Sequence, residues 1–249
     1  PSFPTRRSSD LLTRASVGRV LFEGRRAVGV EVERDGTREQ IRARHEVVLC
    51  AGALETPKLL MLSGVGPAAE LARFELPLVH AAEGVGQNLH DHPNVTMFYL
   101  GGRPVDSFYP QLYGFHRANP ACALPAGQSD TCYVMYPARS SLREAAMRML
   151  PTKLPLLLYG GASKRVVAAA VGMATSLPPV RSLIDRTWGA VVILGKPKSR
   201  GTLSLRSRDA RVQAELDPGY FRHPEDMQTM LAGVKLGRRI ARGAALDAF

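Results

Sequence analysis

One stretch of the chain combines small residues with a helix start, which together suit the binding of a bulky anion. The sequence GALETPKLLMLSGVG, residues 52–66, follows the apolar run 47–50. Ala51, Gly52 and Ala53 carry little bulk, so the backbone can turn sharply and approach another group closely. A helix that begins there offers unpaired N–H groups and a partial positive charge to an anion. The glycine spacing differs from that of a phosphate-cradling loop, and a tight strand–helix turn without a ligand explains these residues equally well.

The histidines beside Asp91 are a second group with ligand chemistry. His90 and His92 flank that carboxylate and resemble a metal-binding pair only superficially. A zinc site needs three or four protein ligands, and no third ligand stands at a convincing spacing. We therefore predict no metal and interpret 84–92 as a loop with polar residues near a cofactor or a domain junction.

The cysteines, Cys50, Cys122 and Cys132, have neither metal-ligand nor CxxC spacing. Their odd, low number argues against a disulfide scaffold and favours a reducing compartment, so a cytoplasmic location is expected. Cys50 is predicted to be a buried, inert thiol at the end of a strand.

Aromatic side chains are the candidates for a substrate pocket. They are Phe108, Tyr109, Tyr113 and Trp188, although packing in a core is the commoner role of such side chains. No Ser-His-Asp arrangement, Walker loop or paired-carboxylate motif is present in the sequence, so no catalytic residue is assigned within it.

Composition indicates a globular chain with a large basic excess. Of its 249 residues, 45% are hydrophobic, which excludes a disordered protein. Lys and Arg number 33 against 22 Asp and Glu, a net charge of +11. That charge is also typical of nucleic-acid binders, but the arginines are dispersed among acids without a recognition motif, so no nucleic-acid partner is predicted. The longest uncharged run, 166–180, is shorter than the ~20 residues that a spanning helix needs.

The elements around the glycine-bounded stretch follow from periodicity and turn signals. Turn pairs at 23–24 and 35–36 separate apolar-alternating segments, which predicts an antiparallel meander feeding a buried strand. The predicted strands are 11–22, 26–33, 37–43 and 46–50. Thr56 is predicted to cap the following helix, Pro57 to occupy its first position and Gly64 to end it.

Helices and strands are also predicted in the rest of the chain, from residue 68 onward. The predicted helices are 68–74, 141–150, 164–176 and one beginning at Pro224, with the apolar stripe Met227, Met230, Leu231 and Val234. The predicted strands are 76–79, 95–100, 187–194 and 202–212, the last from alternation around Leu203 and Leu205.

Five segments together carry a resemblance to a known family. They are VVLCAGALETPKLLMLSGVGP, FEGRRAVGVEV, ELPLVHAAEGVGQNLHDHP, KPKSRGTLSLRSRDA and DPGYFRHPEDMQTMLAGVKLGRRIA. The first closely resembles the second signature of the GMC (glucose-methanol-choline) oxidoreductases, and the others look like segments around it and like a later substrate-domain strand and helix. The resemblance covers 11–93 and 196–249, while 101–195 corresponds by position only. The chain is most similar to the choline-dehydrogenase-like branch.

The resemblance implies FAD as the cofactor and a small-molecule alcohol as the substrate, with hydride transfer to the flavin. The cofactor contacts that it implies are the backbone of Val17 at the adenine, and Ala51, Gly52, Ala53 and Asn88. It further implies an α+β/α/β fold. Part of an FAD-binding Rossmann-like domain with a β-meander would occupy 11–93, and part of an antiparallel-sheet substrate domain 94–249.

Two elements of the family are expected outside the sequence. The G-x-G-x-x-G turn is expected upstream of residue 11 and the catalytic histidine downstream of Phe249, so we expect an internal fragment that binds FAD weakly or not at all and lacks activity. Residues 1–10 resemble a translated sequencing-adapter junction and are excluded from fold reasoning. The alternative hypothesis is a non-catalytic basic binding or scaffold module. No particular alcohol and no oligomeric state is predicted.

Overall fold

The computed structural model describes residues 11–105, 112–139 and 161–246. The chain divides into two compact units, Pro1–His90 with Arg200–Tyr220, and Asp91–Ser199 with Phe221–Phe249. The predicted domain boundary after residue 93 concerns the domains of the family and stays a prediction. The predicted junction at 1–10, the predicted helix 141–150 and the side chains of Phe108 and Tyr109 lie outside the described residues.

The first unit begins with the predicted meander. Strands β1 (Ala15–Glu23), β2 (Arg26–Arg34) and β3 (Thr37–Arg42) pair antiparallel in the order β1-β2-β3. Asp35 and Gly36 have φ values of 49° and 79°, which is the left-handed geometry that a two-residue hairpin requires. The meander and its turn at Asp35–Gly36 are therefore confirmed, while the first turn lies at Gly24–Arg25, one residue later than predicted.

The predicted buried strand at 46–50 is wrong. Residues 43–50 run without regular secondary structure, Val48 is 70% exposed, and the Cys50 thiol is exposed rather than buried. A segment becomes a strand only when its backbone pairs with a neighbouring strand, and no described strand pairs with this one. The apolar run carries strand propensity, but its sequence says nothing about whether a pairing partner is present.

Helix α1 (Gly52–Leu62) follows directly and starts earlier than predicted. Its N-cap is Ala51, so the prediction of Thr56 as the cap and Pro57 as the first helical residue is wrong; Pro57 lies inside the helix. A proline at that depth removes one hydrogen bond to the preceding turn. The end is as predicted, since Gly64 has φ of 87° just beyond the C-cap Ser63.

The rest of the first unit packs around the C-terminal half of α1. Its further elements are β4 (Val65–Gly66), α2 (Ala68–Arg73), β5 (His80–Ala81), β10 (Thr202–Ser204) and β11 (Glu215–Asp217). Strands β4 and β5 pair in parallel, and β10 pairs antiparallel with β11. The buried cluster consists of Met61, Leu62, Leu71, Leu203, Leu205 and Ala214.

Two strand predictions in this unit need correction. Residues 76–78 have no regular structure, and the pairing falls instead on β5, two residues further along. The alternation at 202–212 produces a strand only over Thr202–Ser204, although Leu203 and Leu205 are buried as predicted. Alternation reports which side chains face the core, whereas strand length depends on how far the partner β11 extends.

The second unit contains a four-stranded antiparallel sheet. Its strands are β6 (Asn94–Leu100), β7 (Leu112–His116), β8 (Thr131–Pro137) and β9 (Thr187–Leu194), in the order β6-β9-β8-β7. Strands β6 and β9 match their predictions, while β7 and β8 were not predicted. The unit also contains α3 (Gly161–Ser176), α4 (Pro178–Arg186), α5 (Pro224–Ala241) and a 3-10 turn (Ala244–Leu246).

Helix α5 packs on one face of this sheet through small residues. A Cβ at Gly233 would lie 2.9 Å from Val192 Cγ1, and one at Gly237 would lie 2.9 Å from Met97 Cε. The predicted stripe is therefore only partly right. Met230 is buried, but Met227 and Leu231 are 42% and 52% exposed, because the face that approaches the sheet is centred on the glycines rather than on the large side chains.

No single helix in the described ranges is long and apolar enough to cross a membrane. The pair Arg165–Ser176 and Pro178–Arg186 passes the length and composition test together, with a bend of 82° between its members.

Candidate functional site

The N-terminus of α1 is the open end of that helix. Its N-cap Ala51 has no side chain able to accept a hydrogen bond, and no side chain caps the helix. Gly52 has φ of 86°, and a Cβ added to it would meet nothing within 4 Å. Residues 51–55 are all exposed. The first-turn N–H groups, which have no acceptor within the helix, therefore face open space beside small side chains.

The opposite end of α1 is fastened to the meander. The Ser63 hydroxyl donates to the Leu59 carbonyl at 2.5 Å and accepts from the Val20 N–H at 2.8 Å. Gly64 accepts hydrogen bonds from Val79 N and His80 N at 2.9 and 3.1 Å. These contacts hold β1 and the chain at 79–80 against the C-terminal end of α1, so the open end projects from a fixed support.

Val17, the predicted adenine contact, lies in β1 beside an irregularity of the sheet. It pairs with Val32, and the register shifts between Val17 and Arg19, so Gly18 lies outside the ladder. Val17 is 38% exposed. The irregularity therefore leaves Gly18, next to Val17, without a cross-strand partner.

Asn88 lies in the loop that follows β5, close to His90, where the first segment of this unit ends. It has φ of 59° and is exposed, and its carbonyl oxygen lies 3.1 Å from His90 Nδ1. The loop is held to β10, because Leu203 N donates to Gly86 O at 2.7 Å and Leu89 and Gly201 exchange two backbone hydrogen bonds. Asn88 is thus presented by a braced loop.

The predicted cofactor residues occupy three elements of one unit. Ala51, Gly52 and Ala53 are contiguous at the start of α1, whereas Val17 and Asn88 lie on β1 and on the braced loop. No hydrogen bond in the described part of the chain joins these three places to each other. Their assignment to FAD therefore remains a prediction.

A charged groove beside the meander is occupied by its own ion pairs. The cavity, of about 490 Å³, is lined by residues of β1, β2, β3 and the segment 208–211. Arg19 pairs with Glu31 at 2.9 Å and Arg211 with Asp209 at 2.9 Å. Hydrogen bonds from Arg211 lower the pKa of Asp209 to about 2. The lining of the groove has four arginines against three carboxylates, so its ion pairs neutralise most of its charge.

In the second unit, aromatic side chains mark the sheet face away from α5. Phe98 and Phe115 are 54% and 69% exposed, and Phe98 meets Tyr136 edge-on with ring centroids 6.4 Å apart. The pocket candidates differ among themselves. Tyr113 is exposed on β7, but Trp188 is buried and stacks on Tyr99 at 4.6 Å, so Trp188 belongs to the core.

Helix α5 begins at a buried polar cluster. The Asp226 carboxylate is 2% exposed and accepts from Lys198 N and Ser199 N at 2.8 and 2.7 Å. Burial raises the pKa of Asp226, but these hydrogen bonds outweigh burial and the pKa is lowered. Burial also raises the pKa of the nearby Cys122 thiol, and hydrogen bonding to Glu225 adds to that shift.

The histidines of the 84–92 loop make local contacts. His92 Nδ1 lies 2.9 Å from Leu194 O, and the His92 N–H donates to the Asp91 carboxylate at 2.7 Å. No group of three or more His, Cys, Asp or Glu side chains within the described ranges has metal-site geometry.

The sequence analysis did not identify the structural roles of two polar residues, Lys58 within α1 and its C-cap Ser63. Lys58 is only 5% exposed and pairs with Glu55 at 2.7 Å, and Ser63 ties α1 to β1. The i,i+3 spacing of Glu55 and Lys58 signalled the pair. The buried role of Ser63 had no local signal, because its partner Val20 is distant in sequence.

Comparison with protein families places both ends of this chain in one family. The N-terminal domain model of the GMC oxidoreductases matches residues 3–94, and the C-terminal domain model matches residues 197–248. Oxygen-dependent choline dehydrogenase 1 of Chromohalobacter salexigens is 31% identical over 95% of the chain, and alcohol dehydrogenase [acceptor] of Pseudomonas putida is 32% identical over 93%. The chain spans 40% of the length of each of these curated relatives.

Solved structures share the fold. Pyridoxine 4-oxidase from Mesorbium loti superimposes with a TM-score of 0.70 at 22% identity, over 94% of this chain and 40% of that one. An FAD-dependent oxidoreductase from Chaetomium thermophilum gives 0.58 at 23% identity, over 95% and 45%. The mixed helices and sheets described above are therefore those of a flavoenzyme fold. Since the two domain models together match more than half of its residues, the chain belongs to the GMC oxidoreductase family of FAD flavoproteins.

Proposed function

We propose that the protein represented by this chain is an FAD-dependent oxidoreductase that acts on the CH–OH group of an alcohol, as its choline and alcohol dehydrogenase relatives are named for doing. The observation that carries the proposal is the open N-terminus of α1, where Ala51, Gly52 and Ala53 leave uncapped N–H groups exposed. We also propose that the chain contains part of a Rossmann-like FAD-binding domain.

The residues present fit a dinucleotide. Gly52 leaves space for any approaching group on the side where its Cβ would point. The helix dipole and the free N–H groups of the first turn favour a negative charge. Val17 adds exposed apolar surface and an interrupted backbone ladder, which suit the flat, partly apolar face of an adenine.

The chemistry divides between the cofactor and the chain. FAD, when bound, accepts the hydride from the alcohol carbon. The role of this chain is to hold the cofactor at α1, β1 and the braced loop. We assign no catalytic base to the described residues. Cytoplasmic location stays a proposal that rests on the cysteine content.

A pair of matched glycine variants tests the cofactor role. Gly52 and Gly24 both have positive φ, at 86° and 59°, and at both sites an added Cβ meets open space. Asn tolerates this backbone region, so Gly52→Asn and Gly24→Asn impose the same backbone demand at two different places. In the complete reading frame that encodes this chain, we expect Gly52→Asn to weaken FAD binding at least about tenfold and Gly24→Asn to leave it unchanged.

Flavin absorbance retained after desalting, and dye reduction with choline or benzyl alcohol, provide the measurements. Equal flavin retention by the two variants would contradict the assignment of α1 to the cofactor. For the 249-residue chain alone, we expect little retained FAD and no turnover. Stoichiometric yellow protein from that chain, or turnover by it, would show that the functional residues have been misplaced.

A basic patch on α5 keeps the alternative of a binding module testable. Lys235, Arg238, Arg239 and Arg242 line a cavity of about 580 Å³ with Ala118 and Ala232. The late position of these cations in the helix already suits the helix dipole, so they need no partner. A DNA-binding module would show log affinity falling steeply with log salt, and undetectable DNA binding at low salt would remove this alternative.

A further inference from the structure

Helices α3 and α4 of the second unit expose large apolar side chains, and those of α3 form an apolar stripe along that helix. Val166 and Met173 are 67% and 69% exposed, and Leu177 and Leu183 are 52% and 53% exposed. Val166, Ala169, Ala170 and Met173 are exposed and follow the i, i+3, i+4, i+7 spacing of one face of α3. Leu177 directly follows α3, as the N-cap residue of α4. A core helix would bury such a stripe, so the stripe is surface apolar area available to a partner.

The hydroxyl groups at the ends of these helices make hydrogen bonds within the helix. Thr175 Oγ1 donates to Val171 O at 2.8 Å, and Ser176 Oγ donates to Gly172 O at 2.7 Å. Thr187 Oγ1, directly after α4, donates to Leu183 O at 2.7 Å. Back-bonding of this kind satisfies a hydroxyl without water. The stripe is therefore flanked by polar groups that tolerate a medium of low dielectric constant.

Cations stand at both ends of the uncharged run. Arg165 precedes Val166 and is exposed, and Arg181 follows Val180 with 74% of its side chain exposed. Arg181 lies 3.8 Å from Asp185, a long ion-pair contact. The whole chain has a net charge of +11. Basic residues beside an apolar helix face are complementary to a surface that is anionic outside and apolar beneath.

The geometry excludes a simple span and favours an interfacial position. Helices α3 and α4 have 16 and 9 residues, and the bend of 82° between them prevents them from forming one straight helix. Neither helix reaches the length of about 20 residues that crosses a bilayer. We propose that helices α3 and α4 bind the interface of an anionic bilayer, with Val166, Met173 and Leu177 inserted among the acyl chains and Arg165 and Arg181 at the headgroups. This surface is independent of the proposed FAD site, and binding to it needs no flavin.

Vesicle binding by the 249-residue chain tests the proposal. We compare vesicles of phosphatidylcholine with vesicles that contain equal amounts of phosphatidylcholine and phosphatidylglycerol, and measure co-sedimentation. The double variant Val166→Ser with Met173→Ser should lower partitioning to the mixed vesicles at least about tenfold. Arg165→Gln and Arg181→Gln should each lower it about fivefold. Phe115→Ser, at an equally exposed ring on the sheet of the same unit, is the matched control and should have no effect.

A fluorescence measurement locates the contact. Met173→Trp should shift its emission to the blue on binding and be quenched by lipids brominated along the acyl chain. All substituted side chains are exposed, and unchanged circular dichroism verifies that the variants fold. Equal losses from Phe115→Ser and from the stripe variant would overturn the proposal, as would binding that high salt abolishes completely.

Two other occupants of the stripe give distinct results. A second copy of the chain would produce a concentration-dependent dimer that the Val166→Ser and Met173→Ser double variant abolishes, without vesicle binding. Coverage by another part of a longer protein would make the product of the complete reading frame fail to bind vesicles that the chain itself binds. Either result would refute a bilayer as the partner.

Discussion

Helices α5 and α1 begin in opposite ways. At α5, the His223 side chain accepts from Glu225 N, Pro224 stands within the first two helical positions, and Asp226 is buried with two backbone hydrogen bonds. At α1, the cap is an alanine, the next residue is a glycine in the left-handed region, and no side chain caps the helix. A missing cap costs about 1 kcal/mol of stability, so the open start is a disadvantage for folding that a bound ligand would remove. That difference is the one required by the proposed FAD site.

The largest effect is expected at the capped N-terminus of α5. Asp226→Ala leaves the buried N–H of Ser199 and the partly buried N–H of Lys198 without an acceptor. At about 1–3 kcal/mol for each unsatisfied group, we expect a loss of about 4 kcal/mol in the free energy of unfolding, measured by urea denaturation. Glu225→Gln, which changes the neighbouring exposed ion pair with Lys198, should cost far less. Equal losses would mean that the buried hydrogen bonds are not what holds this end.

The two glycines that bound α1 provide the next comparison. Gly64 and Gly52 have nearly the same φ, 87° and 86°, but a Cβ at Gly64 would collide with Pro77 O and lie 2.9 Å from Val79 Cγ2. We expect Gly64→Ala to cost about 3 kcal/mol, from overpacking together with the left-handed backbone. Gly52→Ala should cost about 1 kcal/mol from the backbone alone. Thermal denaturation of both variants measures the difference, and a Gly52→Ala loss as large as that of Gly64→Ala would mean that the open end is in fact packed.

Acid should reduce the stabilisation that Asp226 and Glu225 provide at the N-terminus of α5. The pKa of Asp226 is lowered in the folded chain because its hydrogen bonds outweigh burial, and that of Glu225 is lowered chiefly by its hydrogen bond to Lys198. A lowered pKa means that the unfolded chain binds the proton more readily. The stabilisation is therefore complete above the unfolded values of about 4 and is lost as pH falls through and below them. Urea denaturation between neutral and acidic pH measures this loss, and Asp226→Asn should flatten the profile.

The smallest effect is expected from adding a capping side chain at the N-terminus of α1. Ala51→Asp adds an acceptor and a negative charge at the N-terminus of α1, which should raise stability by about 0.5 kcal/mol. The same charge should weaken FAD binding in the complete protein, because it repels the pyrophosphate. Opposite signs for melting temperature and for flavin retention are the expected result. A variant with tighter flavin binding would separate α1 from the cofactor.

Local signals predicted much of the fold. The meander follows from three alternating segments and two turn pairs, and the end of α1 follows from Gly64, because both depend on residues adjacent in sequence. The strand at 46–50 failed for the opposite reason, since pairing depends on a distant partner. Strands β7 and β8 went unpredicted because their segments contain Gly, Pro and Cys among few alternating residues.

The candidate site divides in the same way. Small residues at 51–53 signalled a close backbone approach, but the predicted cap at Thr56 was wrong and the helix begins five residues before the predicted first position at Pro57. The buried polar groups of Asp226 and Ser63 depend on partners that are 27 and 43 residues away. A single sequence shows the types of these residues but not their pairing. The assignments of Val17, Ala51, Gly52, Ala53 and Asn88 to FAD came from the family resemblance.

The pair of backbone hydrogen bonds between Leu89 and Gly201 also bears on how the chain folds during synthesis. The first unit is interrupted after His90 and completed only by Arg200–Tyr220, so its core lacks Leu203 and Leu205 until that segment has left the ribosome. At about 5–20 residues per second, the intervening chain takes on the order of ten seconds to make. During that interval Met61, Leu62 and Leu71 have incomplete cover. The nascent first unit should therefore be a substrate for holding chaperones, and become independent of them once the second segment emerges.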